Sequence, residues 1–161
     1  MIELKFIVTR PSILTWTMAL LCATVSHAAD PLLGTWHLNS QEVDGQTVPF
    51  EHLTLRIQPS NAKLSFAFSV LVNRIEFVSM SYTAKPDGEE ADVKKSDGQT
   101  IGTVRLIKVS PLQYKLVVKG ANRPDSSGNL TVDKDGKTLT SEQDSFSPSG
   151  RPVHAKQVFV R

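Results

Sequence analysis

The sequence predicts an all-β domain, an antiparallel meander of about eight to nine strands closing into a barrel or folding as a sandwich. Three observations carry this. Apolar and polar residues alternate with period two in run after run, Asp-Gly pairs punctuate the runs at 44–45, 87–88, 97–98 and 135–136, and no stretch has convincing amphipathic-helix spacing. Asp-Gly readily supplies the φ > 0 pair of a tight hairpin turn.

Taken in order, "GTWHLN" is the first strand. "HLTLRIQ" sets Leu53, Leu55 and Ile57 on one face, and "KLSFAFSVLV" sets Leu64, Phe66, Phe68, Val70 and Val72 on one face. "RIEFVSMSYTA", "GTVRLIKV", "YKLVVKG", "NLTVDK", "KTLTSEQ" and "VHAKQVFVR" complete a set of nine. A short helix is expected around "PFEH". In "LTVDKDGKTLT", a two-residue Asp135-Gly136 turn pairs Val132 with Leu139 and Lys134 with Lys137.

Asn73-Arg74, taken as a two-residue turn, sets Val72 against Ile75, Val70 against Phe77, Phe68 against Ser79 and Phe66 against Ser81. Large side chains then lie opposite small ones. The reverse face, with Ala67, Leu71, Val78, Met80 and Tyr82, is also apolar, which is unusual for a half-solvated strand. Another element covers it, or it is a patch for a partner. In the last strand Val153 and Ala155 fall out of phase with Val158 and Val160, and a β-bulge near Lys156 or Gln157 repairs the slip.

The first residues read differently. Lys5 and Arg10 precede the apolar run "ILTWTMALLCATV" and the small-residue end "SHAAD". This is the layout of a cleaved secretory signal peptide, and the run of roughly 13 residues is short of the ~20 that span a bilayer. The expected organisation is a signal peptide over 1–28 and one domain over 29–161. The sole cysteine, Cys22, lies in the leader after Leu21, where a lipid-modified cysteine follows Gly, Ala or Ser. The mature domain then has no disulfide and rests on its hydrophobic core. The chain carries +2 at pH 7, and losing Lys5, Arg10 and Glu3 leaves +1. No basic block points to nucleic acid, and no second apolar span follows.

Gly34-x-Trp36 resembles the start of lipocalins and related calycin barrels. In those barrels a Trp on the first strand seals the closed end of a cup. Gly34, Thr35, Trp36, Leu38 and Asn39, then Tyr82, Ala84, Asp87 and Gly88, then Asp135 through Thr140, then Gly150, Pro152 and Val153 resemble a group of uncharacterised bacterial exported proteins described as lipocalin-like. Two segments depart from that pattern: "SQEVDGQTVP" after Leu38-Asn39, and Glu89-Glu90 where a lysine is usual. The resemblance implies a lipocalin-like barrel, a periplasmic or secreted location and a binding role. It also implies an arginine stacked over Trp36, with Arg161 the candidate.

No cofactor or metal is expected. His37, His52 and His154 have no H-x-H or H-x-x-x-H spacing. Glu89, Glu90 and Asp92 read as a solvated acidic loop, and no Gly-x-Ser-x-Gly is present. The expected function is therefore non-catalytic binding of a small apolar or amphipathic ligand. The candidate lining is Trp36, Leu55, Phe66, Phe68, Val70 and Phe77, with Tyr82 or Tyr114 as a polar tip near the mouth. The alternative is a side-chain-filled barrel acting as an envelope protein-interaction or enzyme-inhibitor module, through an outer patch of Leu71, Val78 and Met80.

Overall fold

A computed structural model describes residues 30–49, 52–120, 123–147 and 149–161. The signal peptide expected over 1–28 and the centre of the expected short helix at 50–51 lie outside the described residues. Eleven strands follow one another: β1 (Gly34–Val43), β2 (Gln46–Thr47), β3 (Leu53–Ser60), β4 (Lys63–Val72), β5 (Ile75–Ala84), β6 (Asp87–Lys95), β7 (Thr100–Ser110), β8 (Gln113–Gly120), β9 (Arg123–Val132), β10 (Thr138–Phe146) and β11 (Pro152–Val160). β2 pairs only with β1. The other ten form one antiparallel meander in which each strand pairs with its chain neighbour, and β11 returns to pair with β1. The result is a closed ten-stranded barrel, the arrangement that removes sheet edges altogether.

Period-two alternation puts the core inside the ring. Trp36, Leu55, Ile57, Phe66, Leu106, Leu139 and Phe159 are buried, while Arg56, Gln58, Lys115 and Lys119 between such positions are exposed. Each fully buried Leu, Ile or Phe contributes roughly 1.5–3 kcal/mol over its exposed state. β1 pairs Trp36 with Leu55 and Gly34 with Ile57, so the first turn of the meander already joins the indole to two core aliphatics.

The strand count corrects the expected eight to nine. The missing strand is β6, "DGEEADVKK", whose Glu89, Glu90 and Asp92 had read as an acidic loop. Only Val93 of this strand is buried, with Ala91 packed against the core beside it. Glu90 bonds Lys119 of β8 at 2.5 Å on the outside. Ten strands also close where nine would not, because a purely antiparallel ring needs an even number.

Three local expectations are corrected as well. Asn73 and Arg74 do form a two-residue turn, both at positive φ (52° and 65°), with Val72 facing Ile75 and Val70 facing Phe77. A register shift after Phe68 then sets Phe68 against Met80 and Phe66 against Tyr82, not against Ser79 and Ser81. Ser79 is the inserted residue, and its Oγ donates to the Phe68 carbonyl at 3.1 Å. The turn after β9 keeps Val132 opposite Leu139 but holds four residues. Asp133 N–H donates to the Thr138 carbonyl, and the Asp133 carboxylate accepts from the Lys137 and Thr138 amides, so Lys134 and Lys137 form no ladder pair. Finally, β11 pairs with β10 without interruption. The bulge lies on β1, between Leu38 and Ser40.

Above Val70 and Ser79 the β4–β5 hairpin leaves the wall. β3 reaches only as far as Val70, and β6 joins β5 only at Met80, Ser81 and Tyr82. Residues 71–78 are exposed on both faces, including Ile75 at 66% and Phe77 at 46%.

Candidate functional site

The two ends of the barrel differ. At one end Trp36 is fully buried and its Nε1–H donates to the Leu32 carbonyl at 2.9 Å. The Arg161 guanidinium lies 4.2 Å from the indole centroid and donates to the Pro31 and Leu33 carbonyls at 2.6 and 2.9 Å. Asp30 ties the same end shut. It accepts from the Tyr114 hydroxyl and from Lys108 Nζ at 2.9 Å, and burial is outweighed by these bonds, so its carboxyl sits below the ordinary range. Burial and the Asp30 hydrogen bond push the Tyr114 phenol up to about 12.

Above this plug the packing opens into a cavity of about 150 Å³. Its walls are chemically unequal. Phe66 and Phe68 of β4 and Met80 and Tyr82 of β5 form an apolar, mostly aromatic side; Ser126 of β9, Ser141 and Gln143 of β10 and Gln157 of β11 form an amide and hydroxyl side. In a ten-strand ring β5 lies across from β10, so the two sides face each other. Phe66 stacks on Tyr82 with centroids 4.6 Å apart and planes 18° apart, and Phe68 leans on the same ring at 6.2 Å. Burial raises the Tyr82 phenol well above its usual range, so it stays a neutral donor. Gln157 Nε2 donates to Gln41 Oε1 at 3.3 Å, which orients its amide. Gly128 leaves room for Gln143: a Cβ there would fall 2.8 Å from Gln143 Cγ.

Of the residues expected to line a cavity, Leu55, Phe66, Phe68 and Tyr82 do so. Trp36 lies below, in the plug. Tyr114 is corrected from the mouth to the closed end, where Asp30 holds it. Val70 is half-buried and Phe77 exposed; they pair with each other in the β4–β5 hairpin and are not part of the lining. Met80, expected on an outer patch with Leu71 and Val78, packs against the core and lines the cavity instead. The interior is thus filled below and open above, where cup and solid core had been alternatives.

Sequence reasoning missed the polar wall. Its signal was present, since Ser141 and Gln143 continue the inward phase of Leu139, and Gln157 continues that of Phe159.

At the open rim, Asp44 accepts from the His154 amide at 2.9 Å and from Arg151 at 3.0 Å, and the His154 ring meets Asp144 at 2.8 Å. A wider depression of about 600 Å³ beside these residues is open to solvent and does not enter the barrel core. Among the described residues no group of three or more His, Cys, Asp or Glu is placed to hold a metal, and no helix is long and apolar enough to cross a membrane.

These features define a closed, ten-stranded antiparallel β-barrel with one sealed end and an internal cavity. Solved structures agree on the fold. The REP1-NXSQ fatty acid transporter aligns with a TM-score of 0.53 at 19% identity, over 83% of this chain and 97% of that one. A Schistosoma mansoni fatty acid binding protein in complex with arachidonic acid aligns with a TM-score of 0.56 at 17% identity, over 81% and 96%. The chain matches no protein-family model and no curated protein.

Proposed function

We propose that the protein is an exported, non-catalytic lipocalin-like binding protein for a small apolar or amphipathic molecule. The observation that carries this reading is the internal cavity between the Phe66–Phe68–Tyr82 cluster and the Ser/Gln wall, in a barrel whose other end is plugged. Architecture supports it too, since two solved proteins of similar fold are described as a fatty acid transporter and a fatty acid binding protein. Export to the periplasm or beyond rests on the leader-like first 28 residues.

The cavity sets the scale of the ligand. A void of 150 Å³ is about what holds a benzene-sized molecule, below the ~300–1,000 Å³ of pockets that enclose drug-sized ligands. The part of the ligand inside the barrel therefore has about six to eight heavy atoms, and any longer tail leaves through the rim. Burying six methylene equivalents gives roughly 5 kcal/mol before ordering costs.

The test is a titration of purified protein with toluene, a neutral apolar probe of this size, followed by NMR shifts of the Leu55, Val93 and Leu116 methyls. Saturable shifts confined to the lining are expected; an interior that admits no toluene removes the reading. Native mass spectrometry of protein taken from its own host complements this by weighing any retained molecule.

A second reading is favoured by the projecting β4–β5 ribbon, where Leu71, Val72, Ile75, Phe77 and Val78 are all exposed. Such a patch suits an envelope protein partner. A co-purifying protein lost on Ile75→Ser and Phe77→Ser substitution, with toluene binding intact, would favour it.

A further inference from the structure

We infer that the ligand carries an uncharged, hydrogen-bonding head, such as an alcohol, amide or ester, and not a carboxylate. The inference rests on the binding reading above and names the chemical class that this cavity accepts.

It starts from what the wall lacks and what it offers. Among the described residues, no charged side chain lines the cavity. An ionised carboxylate taken from water into an apolar site with no cation is strongly disfavoured, and it neutralises or stays out. Arg105 does not supply that cation. It lies between the inward-facing Val104 and Leu106, so strand alternation turns it outward, and its charge acts on Glu90 on the outer surface. The closed end has positive charge in Arg161 and Lys108. Arg161 is committed to the Pro31 and Leu33 carbonyls, and Lys108 to Asp30, on the far side of the Trp36 plug.

What the wall offers instead is matched to a neutral head. Gln143 and Gln157 each carry a carbonyl acceptor and an N–H₂ donor, and Ser126 and Ser141 each donate and accept. Across from them the Tyr82 hydroxyl has no hydrogen-bond partner among the described residues, although Tyr82 is 93% buried (7% exposed). A ligand acceptor that reaches this hydroxyl meets a neutral donor already set inside the barrel. Amide and hydroxyl groups opposite an aromatic cluster form a site with a polar side for a head and an apolar side for a chain. The Gln41–Gln157 bond orients one of the polar groups before any ligand arrives, and Gly128 leaves room for Gln143.

The experiment compares six-carbon probes that differ only in the head, on the unmodified protein. Toluene serves as the neutral apolar reference. Hexan-1-ol and hexanamide are expected to bind at least about tenfold more tightly than hexanoate near pH 8. Hexanoate should gain affinity as the pH falls through the usual carboxylic acid range near 4–5, where the acid becomes neutral. The double substitution Gln143→Leu with Gln157→Leu is expected to cut hexanamide affinity by about three- to tenfold while toluene still binds. Toluene binding with hexanoate equal to or tighter than the neutral probes near pH 8 overturns the inference and leaves the binding reading standing. Toluene binding with no change in hexanamide affinity in the double variant overturns the role of the polar wall. Failure of toluene itself overturns both.

Discussion

The Arg161 guanidinium lies 4.2 Å from the centre of the Trp36 ring and, in the same pose, 3.5 Å from the point where a Cβ on Gly34 would stand. Gly34 (φ +142°) takes a backbone angle L side chains avoid, and this conformation brings the Gly-x-Trp opening up against the Arg161 guanidinium. Cap and barrel closure meet here, because β1 and β11 are also the pair that shuts the ring.

Arg161→Ala is expected to cost about 1–2 kcal/mol, combining the lost cation–π contact with two charge-assisted bonds to carbonyls at an exposed site. Arg161→Lys should recover less than half, because an ammonium cannot stack on indole and reach both carbonyls as a planar fork does. Trp36→Ala empties the plug and should cost about 3–5 kcal/mol. Urea unfolding of the three variants checks the order Trp36→Ala, Arg161→Ala, Arg161→Lys.

The β4–β5 turn holds a non-glycine residue, Arg74, at φ +65° next to Asn73 at +52°. Arg74→Gly creates the Asn-Gly pair that a type I′ turn favours and relieves about 0.5–1 kcal/mol of backbone cost. Since residues 71–78 stand clear of the wall, most of that gain is local. The expected result is roughly a two- to fivefold rise in hydrogen-exchange protection of the amides flanking the turn, with little change in Tm.

His154 makes the rim pH-sensitive. Its hydrogen bond to Asp144 comes first, with the fields of Asp144, Glu142 and Asp44 behind it, and together they raise the imidazole pKa above its ordinary 6.5. A group whose folded pKa is raised stabilises in full below its unfolded value, and that contribution fades as pH rises through the folded value. The clasp between β10, β11 and Asp44 should therefore be tightest below about pH 6.5 and loosen above it. NMR titration of the ring should give a midpoint above 6.5 in the unmodified protein and a lower one in Asp144→Asn, with the slope of stability against pH reduced in the same variant.

Much of this architecture was legible because period two is a strong signal wherever one face is buried. Leu53-Leu55-Ile57 and Leu64-Phe66-Phe68 announced β3 and β4, and Asn73-Arg74 the β4–β5 hairpin. The strand that escaped was β6, because "DGEEADVKK" puts a single buried side chain, Val93, among charged neighbours. That one omission had a directional consequence. Each strand of a meander reverses the last, so losing β6 inverts every later strand, and Tyr114 moves from the closed end to the mouth. The polar wall was hidden for a different reason. In β11 the inward phase runs Val153, Ala155, Gln157, Phe159, while Val158 and Val160 face out. Reading apolar as inward turned Gln157 into a phase slip. The shift after Phe68, likewise, depends on Ser79 of the partner strand and cannot be seen in either strand alone.

Gly128 is the point at which backbone packing and cavity chemistry meet. It faces inward between Ser126 and Leu130, pairs with Leu116 and Gln143, and is buried. A Cβ at this position would stand 2.4 Å from the Glu142 carbonyl oxygen and 3.2 Å from Gln143 Cα. Both are backbone atoms of β10, so no side-chain rotation relieves the contact and the β9–β10 ladder itself must yield. Gly128→Ala is expected to destabilise by about 1–3 kcal/mol, or roughly 3–10 °C in Tm for a domain of this size. The same methyl displaces the Gln143 amide from the polar wall, so the variant should lose hexanamide affinity more than toluene affinity at a temperature where it remains folded. Unchanged melting together with unchanged probe selectivity would mean that β10 moves away from Gly128 freely, and that the glycine does not set the position of Gln143.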